Sequence, residues 1–237
     1  MNKITATYNL YAEAVAFINR KPLSSKEAIV VLLRHGKTRF NEAHKLQSWD
    51  PDIDELSPAG EKCARQLQEP LNLLPISWIA SSDLYRAIQT TRLAAPKASF
   101  QLCSCLRDLN FGDIGGLKYW EGPENEFKQK YPTAYETWKN GNKRTFTAPG
   151  GESYLDFETR VRQGFFTGIL PNCLGQVSLI IAHFGTVREI LYEIFKSNVN
   201  EMKISIDNAS ITIIHFTEDG NQKLLLFNNT EHLMAKT

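Results

Sequence analysis

The feature that most constrains this chain is a run of apolar residues that ends abruptly in an arginine and a histidine. The segment Ile29-Val30-Val31-Leu32-Leu33 is followed directly by Arg34-His35-Gly36. Five apolar, mostly β-branched residues predict a strand that is buried on both faces. In open α/β sheets the reacting groups lie at the carboxyl ends of such strands. The sequence therefore predicts that His35 is a reactive group at a sheet edge, with Gly36 where the chain turns away.

The rest of the pattern predicts a three-layer α/β/α sandwich with a mostly parallel central sheet, because strands alternate with helices. Further strands are predicted over residues 76–80, 99–102, 177–181, 204–206, 210–216 and 223–227, and helices over 58–69, 84–95, 152–170 and 186–195. Asp219-Gly220 predicts a hairpin between the last two strands. Residues 1–26, with an amphipathic helix over about 7–19, are interpreted as an N-terminal extension of one domain, 27–237.

Residues from about 110 to 150 differ from their surroundings, because aromatic residues alternate there with lysines and arginines. We interpret this stretch as a partly helical cap insertion over the sheet edge. Its aromatic rings either stack against a ring of the substrate or pack the insertion onto the domain.

Composition narrows the range of partners. The formal net charge is +1, so nothing favours nucleic acid or a membrane surface. No apolar run approaches the length of a membrane span, and the N-terminus lacks the pattern of a secretion signal. The four cysteines have no zinc-ligand spacing, and we expect reduced, buried thiols in a cytoplasmic protein. No metal and no cofactor are expected.

Ionisable residues follow four of the predicted strands and are expected to converge at one edge of the sheet. They are Arg34, His35, Arg86, Asp108 and His183. Two arginines suit a phosphoryl group, because each planar guanidinium pairs with two oxygens. One histidine is then a candidate nucleophile, the other a donor to the phosphoryl oxygens, and the carboxylic acid a proton donor to the leaving oxygen.

Five blocks of the sequence, together with its ending, resemble the histidine phosphatase superfamily, also called phosphoglycerate mutase-like. They are Arg34-His35-Gly36-Lys37-Thr38-Arg39-Phe40-Asn41, Ser82-Asp83-Leu84-Tyr85-Arg86-Ala87-Ile88-Gln89-Thr90, Leu106-Arg107-Asp108-Leu109-Asn110-Phe111-Gly112-Asp113, Pro149-Gly150-Gly151-Glu152-Ser153, Ala182-His183-Phe184-Gly185 and Asn228-Asn229-Thr230-Glu231-His232-Leu233. The blocks occur in the order of the family and span about residues 28–233. The resemblance implies a phosphoglycerate mutase-like fold.

The resemblance also implies residue roles. His35 is the expected nucleophile that becomes phosphohistidine, and Arg34, Arg86 and His183 are expected to line the phosphate pocket, with Asn41 shaping it.

Asp108 stands where the family usually has a glutamate as proton donor, and aspartate is one methylene shorter. Asp113 and Glu152 therefore remain alternatives for that role. Phe184 replaces a residue that is often glycine, and we expect it to narrow the pocket entrance.

The short spacing between the third and fourth blocks resembles the small phosphatases, above all α-ribazole phosphatase-like and broad-specificity bacterial members. The implied function is a phosphoric monoester hydrolase of the histidine acid phosphatase type, acting on a small-molecule phosphate ester. Two alternatives stay open: a phosphoglycerate mutase, and a family member that binds a phosphorylated ligand or a partner without turnover.

Overall fold

The computed structural model describes residues 7–20, 22–50, 55–119, 122–140, 143–196 and 204–234. A six-stranded sheet runs through it in the order β3-β2-β4-β1-β5-β6. The strands are β1 (Ala28–Arg34), β2 (Ile76–Ser81), β3 (Gln101–Leu102), β4 (Val177–Ala182), β5 (Ile211–Phe216) and β6 (Gln222–Asn229). The first four strands in this order pair in parallel, whereas β5 and β6 are antiparallel. The sheet is therefore mixed. Its four parallel strands have their carboxyl ends at the same edge of the sheet.

The helices lie between and outside these strands. They are α1 (Tyr11–Ile18), α2 (Arg39–Glu42), α3 (Pro58–Gln66), α4 (Gln68–Asn72), α5 (Tyr85–Ala94), α6 (Glu126–Lys130), α7 (Pro132–Lys139), α8 (Tyr154–Gln163), α9 (Leu170–Cys173) and α10 (Phe184–Ile194). Short 3₁₀ turns cover Ser104–Leu106, Gly112–Ile114, Lys143–Thr145 and Glu231–Leu233.

The sheet is covered on both faces, which confirms the three-layer α/β/α prediction. Alternate residues of β1 point to opposite sides: Val30 and Leu32 join one buried cluster, and Ile29, Val31 and Leu33 join the other. The first cluster also contains apolar residues of α8, α10 and the segment 109–148, whereas the second contains those of α1, α4 and α5. Strand β1 is buried on both faces up to Leu33, which explains its continuously apolar sequence.

Two predicted helices are interrupted in the structure. The helix predicted over 58–69 ends at Gln66, and α4 begins two residues later. Pro70 has no N–H, and in a continuous helix its ring would clash with the Gln66 carbonyl, so α3 ends there and Pro70 lies in the first turn of a new helix. The helix predicted over 152–170 contains a π-helical turn, Gly164–Ile169. There the Thr167 hydroxyl donates to the Gln163 carbonyl at 2.6 Å and competes with the backbone N–H for it.

The strand predicted over 204–206 is wrong, because those residues have no regular structure. The cysteine expectation is wrong in part. All four cysteines are free, as expected, but only Cys173 is fully buried. No helix of the described part of the chain is long and apolar enough to cross a membrane.

The N-terminal segment is joined to the sheet. The backbone N–H groups of Thr7 and Tyr8 donate to the Leu224 and Leu225 carbonyls of β6 at 2.8 and 2.9 Å. Helix α1 follows and buries Tyr11 and two further side chains, Ala14 and Ile18. We propose that residues 1–26 are an extension of a domain formed by residues 27–237. Residues 1–6 lie outside the described part of the chain.

Most aromatic residues of the segment 110–150 pack into the domain. Phe127, Tyr135 and Phe146 are buried in the same cluster as α8 and α10, and the Trp138 ring lies 5.0 Å from that of Phe146. Tyr119 differs, because it is 37% exposed. Packing therefore accounts for these buried rings, and Trp120 lies outside the described residues.

Candidate active site

His35 follows the last residue of β1 and is almost fully buried. Its backbone N–H continues the sheet by donating to the Ala182 carbonyl of β4 at 3.0 Å. Its ring Nδ1 lies 2.7 Å from the Gly36 carbonyl oxygen, which only accepts hydrogen bonds. Nδ1 therefore carries the hydrogen, and Nε2 carries the lone pair. Burial, followed by the charges of Arg86 and Arg34, holds the pKa of His35 well below the ordinary histidine value.

Gly36 is required by a close approach of two backbone segments. A Cβ atom at this position would lie 2.8 Å from the Gly60 carbonyl oxygen in the first turn of α3. The Gly36 N–H donates to the Thr90 hydroxyl of α5 at 2.9 Å. These contacts hold the backbone on which the His35 ring is carried.

His183 occupies the equivalent position after β4, which pairs directly with β1. The two imidazole centroids are 5.0 Å apart. Arg86 Nε donates to Nδ1 of His183 at 3.1 Å, so this histidine carries its hydrogen on Nε2, which donates to the Ser82 hydroxyl at 2.8 Å. Burial is the largest cause that holds its pKa well below the ordinary value, and the charge of Arg86 is the next. Both histidines are therefore neutral near pH 7.

The positive charge at this edge comes from two arginines. Arg86 lies in the first turn of α5, is 1% exposed, and donates to the Ser48 carbonyl at 3.4 Å. Arg34 ends β1, is half-buried, and donates from Nη1 to the Ile206 carbonyl at 2.6 Å. Burial lowers the pKa of Arg34 to about 10, so it stays charged at neutral pH.

Phe184 covers Arg34. Its ring centroid lies 5.5 Å from the guanidinium carbon of Arg34 and 5.0 Å from that of Arg188 in α10. The ring therefore lies against two cations and limits where the Arg34 side chain extends. Narrowing of a pocket entrance by Phe184 stays a prediction.

Asp108 reaches the same edge, although it does not end a strand as predicted. Strand β3 ends at Leu102, and the 3₁₀ turn Ser104–Leu106 comes between them. The Asp108 carboxylate lies against Gly185 in the first turn of α10, where a Cβ atom would be 2.2 Å from Oδ1. The Leu109 N–H donates to the same oxygen at 3.0 Å. The Asp108 charge raises the pKa of Arg34, against the larger effect of burial, so the carboxylate and the arginine that ends β1 belong to the same charged site.

The two alternatives for the acid lie in different surroundings. Both Glu152 oxygens accept from Arg160, at 2.9 Å each, and one of them also accepts from the Asn110 N–H. The Asp113 carboxylate packs against Gly150 in the turn before α8. Glu152 is therefore held as the partner of an arginine, and Asp108 is the carboxylate placed against the helix that follows His183.

Asn41 shapes the site through the backbone. Its Oδ1 accepts from the Thr38 N–H at 3.2 Å and from the Asn208 side-chain amide, also at 3.2 Å. The Asn208 amide donates further to the His35 carbonyl at 3.1 Å. Asn41 and Asn208 therefore hold the main chain at His35 through a chain of hydrogen bonds. No pattern in the sequence singled out Asn208.

The other histidines lie apart from this arrangement. His44 is exposed, His215 pairs with Glu27 at 3.2 Å inside the sheet layer, and His232 lies in the last 3₁₀ turn. Within the described ranges, no group of three or more histidine, cysteine, aspartate or glutamate side chains is arranged to hold a metal ion.

Comparison with known proteins identifies relatives that match most of this chain. The model of the histidine phosphatase superfamily (branch 1) matches residues 30–230. Phosphoglycerate mutase-like protein 4 of Arabidopsis thaliana is 28% identical over 210 residues, which cover 87% of each chain. A broad-specificity phosphatase of Saccharomyces cerevisiae is 28% identical over 217 residues, which cover 85% of this chain and 86% of the yeast protein.

A solved structure shares the fold. The α-ribazole phosphatase of Shigella flexneri superposes with a TM-score of 0.75 at 21% identity, covering 85% of this chain and 96% of its own. The chain also matches a bifunctional protein of Mycobacterium tuberculosis at 27% identity, but it spans only 54% of that protein's length. The family model covers all five sequence blocks and the first three residues of the ending, and it confirms the resemblance. This chain is a member of the histidine phosphatase superfamily.

Proposed function

We propose that this protein is a phosphomonoesterase that hydrolyses a small phosphorylated metabolite through a phosphohistidine on His35. The observation that carries the proposal is the 2.7 Å contact between His35 Nδ1 and the Gly36 carbonyl. It leaves Nε2 unprotonated, and the lowered pKa keeps it so at neutral pH. A neutral imidazole with a directed lone pair is the form that attacks phosphorus. The phosphatase among the relatives supports the same reading.

In the first half-reaction, Nε2 of His35 forms a bond to phosphorus, and the bond between phosphorus and the ester oxygen breaks. Asp108 in its protonated form gives its proton to the leaving oxygen, which departs as an alcohol. In the second half-reaction, water attacks the phosphohistidine and Asp108 takes up the proton that the water loses. The products are the alcohol and inorganic phosphate, and His35 returns to its starting form.

Arg34 and Arg86 are the proposed phosphate ligands, because they are the charged groups beside His35. Asn41 supports the pocket through its contact with Asn208. His183 has its Nδ1 occupied by Arg86, so its hydrogen for a phosphoryl oxygen is the one on Nε2. The oxygen must compete with the Ser82 hydroxyl for that hydrogen.

A phosphoglycerate mutase would use the same phosphohistidine but return the phosphoryl group to a substrate hydroxyl. The similarity to phosphoglycerate mutase-like protein 4 of Arabidopsis supports this second function. The two are separated by measuring phosphate release from α-ribazole phosphate and other phosphomonoesters against isomerisation of 3-phosphoglycerate. We expect hydrolysis to be the faster reaction, and a dominant isomerisation would contradict the phosphatase assignment.

The nucleophile is tested with His35→Ala. We expect loss of turnover on p-nitrophenyl phosphate and on a panel of phosphorylated metabolites, because no second residue of the site is placed to form the covalent intermediate. Rapid quenching of the unmodified enzyme into alkali, in which phosphohistidine survives, should trap phosphate on residue 35.

The matched control is His44→Asn, which changes an exposed histidine at a positive φ of 53° that asparagine tolerates. It should keep both turnover and the trapped phosphate. Full activity in His35→Ala would refute the mechanism, and absence of turnover in the unmodified protein would favour a binding role.

A further inference from the structure

Arg160, in the second half of α8, forms hydrogen bonds with the main chain of the segment that carries Asp108. Its guanidinium donates from Nη1 to three carbonyl oxygens of that segment and from Nη2 to a fourth. The acceptors are the carbonyls of Ser104 at 3.4 Å, Cys105 at 3.1 Å, Arg107 at 3.1 Å and Asp108 at 3.3 Å. This side chain therefore contacts four of the five main-chain carbonyls of residues 104–108, and the Thr186 hydroxyl donates to the Leu106 and Arg107 carbonyls of the same segment at 3.1 and 3.0 Å.

The orientation of Arg160 is fixed by Glu152. Nε and Nη2 each donate to one carboxylate oxygen at 2.9 Å, which makes the pair bidentate. The two side chains are 22% and 12% exposed, so water screens the pair only partly. Glu152 belongs to the Pro149-Gly150-Gly151-Glu152-Ser153 block, to which the proposed reaction gives no chemical role.

Trp49 completes the support of the acid. The guanidinium groups of Arg107 and Arg160 both lie over its ring, with their central carbons 4.6 and 5.3 Å from the ring centroid. Its Nε1 donates to the Asp108 carbonyl at 2.8 Å, the same oxygen that Arg160 contacts. The Asp108 carbonyl thus accepts from two side chains, while its carboxylate lies against Gly185. The backbone of Asp108 is held on one side and its carboxylate is limited on the other.

We propose that Arg160, oriented by Glu152, is a positioning residue that places Asp108 for proton transfer to the leaving group. This proposal rests on the proposed function, in which Asp108 is the proton donor. The planar guanidinium suits this role, because its five N–H groups serve six acceptors, with the two Nη1 hydrogens shared among three carbonyls. A short side chain has little freedom to adjust its own reach, so the position of the Asp108 carboxyl depends on the position of its backbone.

The test compares two leaving groups in the full-length protein. Glycerol 1-phosphate releases a basic alkoxide that requires a proton, whereas the p-nitrophenolate released from p-nitrophenyl phosphate is weakly basic and leaves without one. Asp108→Asn should lose about 10²–10⁴ in rate on glycerol 1-phosphate and far less on p-nitrophenyl phosphate. Arg160→Met should show the same selectivity with a loss of about 10–100-fold, since a displacement near 1 Å costs up to about 10²-fold.

A double variant separates positioning from general damage. Arg160→Met added to Asp108→Asn should cause no further loss on glycerol 1-phosphate, because residues that act through one proton transfer are not additive. Arg160→Lys keeps the charge facing Glu152 but donates from a single point, so it should show an intermediate loss. It also decides the question if Arg160→Met does not fold.

The matched control is Arg162→Met on the same helix, because Arg162 pairs with Glu158, Glu189 and Glu193 instead. It should lower stability and leave the ratio of the two rates unchanged. Equal losses on both substrates in the Arg160 variants, or losses that add to those of Asp108→Asn, overturn the positioning role alone. If Asp108→Asn itself shows no leaving-group selectivity, the assigned proton donor fails and the positioning role fails with it.

Discussion

The two histidines of the site carry their hydrogens on opposite nitrogens, and the neighbours of each ring determine this. His35 donates from Nδ1 to the Gly36 carbonyl, whereas His183 accepts at Nδ1 from Arg86. The first arrangement exposes a lone pair on Nε2, and the second leaves a hydrogen there. At the scale of single residues, two identical side chains are therefore suited to a nucleophile and to a donor.

The lowered pKa values of these histidines predict how stability depends on pH. Both lie well below 6.5 in the folded protein because of burial first and nearby arginines second, whereas they return to about 6.5 on unfolding. Below pH 6.5 the unfolded chain therefore binds more protons, and the free energy of unfolding falls as the pH falls. Each histidine contributes at most about 1.4 kcal/mol per pH unit.

Urea unfolding at pH 7 and pH 5 checks this for His35→Gln, which does not titrate. The variant should lose less stability between the two pH values than the unmodified protein, by about 1–2 kcal/mol. His44→Asn, an exposed position, should lose as much as the unmodified protein. Equal losses in all three proteins would contradict the lowered pKa of His35.

The sequence predicted the charged residues of the site but not the polar ones that hold them. Arg34, His35 and His183 follow runs of apolar residues, and this abrupt change of polarity can be recognised from the sequence alone. Asn208 and Ser82 contact these residues across long sequence separations, and asparagine or serine in a loop is unremarkable in a sequence. Their roles depend on tertiary contacts, which no local pattern records.

At the scale of elements, the accuracy of each prediction follows how strongly the local pattern specified it. The continuous apolar runs of β1 and β4 were predicted to within one residue at each end. Strand β3 contains only two residues, so the segment after it is held by side-chain hydrogen bonds, among them those of Arg160 and Thr186, and not by a strand ladder. The helix predicted over 58–69 breaks between Gln66 and Gln68, where the Pro70 ring opposes a continuous helix, and the helix predicted over 152–170 is distorted around Thr167, whose hydroxyl competes for a helical carbonyl.

Helix α1 predicts a test of how firmly the N-terminal segment belongs to the fold. Ile18 is 6% exposed and lies in the cluster that covers one face of the sheet, and the Tyr11 hydroxyl donates to the Pro70 carbonyl at 2.7 Å. Ile18→Ala should lower the free energy of unfolding by about 2–5 kcal/mol, because it removes buried methyl groups and leaves a cavity. Turnover at a permissive temperature should be unchanged.

Leu10→Ala is the control for this helix, because Leu10 is 54% exposed and such changes are usually within about 0.5 kcal/mol. Thermal unfolding and p-nitrophenyl phosphate turnover of both variants give the comparison. If Ile18→Ala is as stable as Leu10→Ala, the helix contributes little to the core.

At the scale of the whole molecule, the strand order brings the two histidines together. Strand β4 inserts between β2 and β1, and Arg34 is in register with Ala182, so the residues that follow each strand become neighbours. The sequence predicted that these ends share one edge of the sheet. It did not predict which strands are adjacent, because strand order depends on how the covering helices pack on both faces.

The assembled edge leads to a prediction about metal dependence. Phosphoryl transfer needs positive charge beside the phosphoryl oxygens. In the proposed reaction Arg34 and Arg86 supply it, since the lowered pKa values leave both histidines neutral. We therefore expect EDTA to leave kcat/KM for p-nitrophenyl phosphate unchanged within about twofold, and added Mg²⁺ to have no effect. A metal-dependent phosphatase assayed in parallel should lose its activity. Activity that EDTA removes and Mg²⁺ restores would show that the two arginines do not suffice.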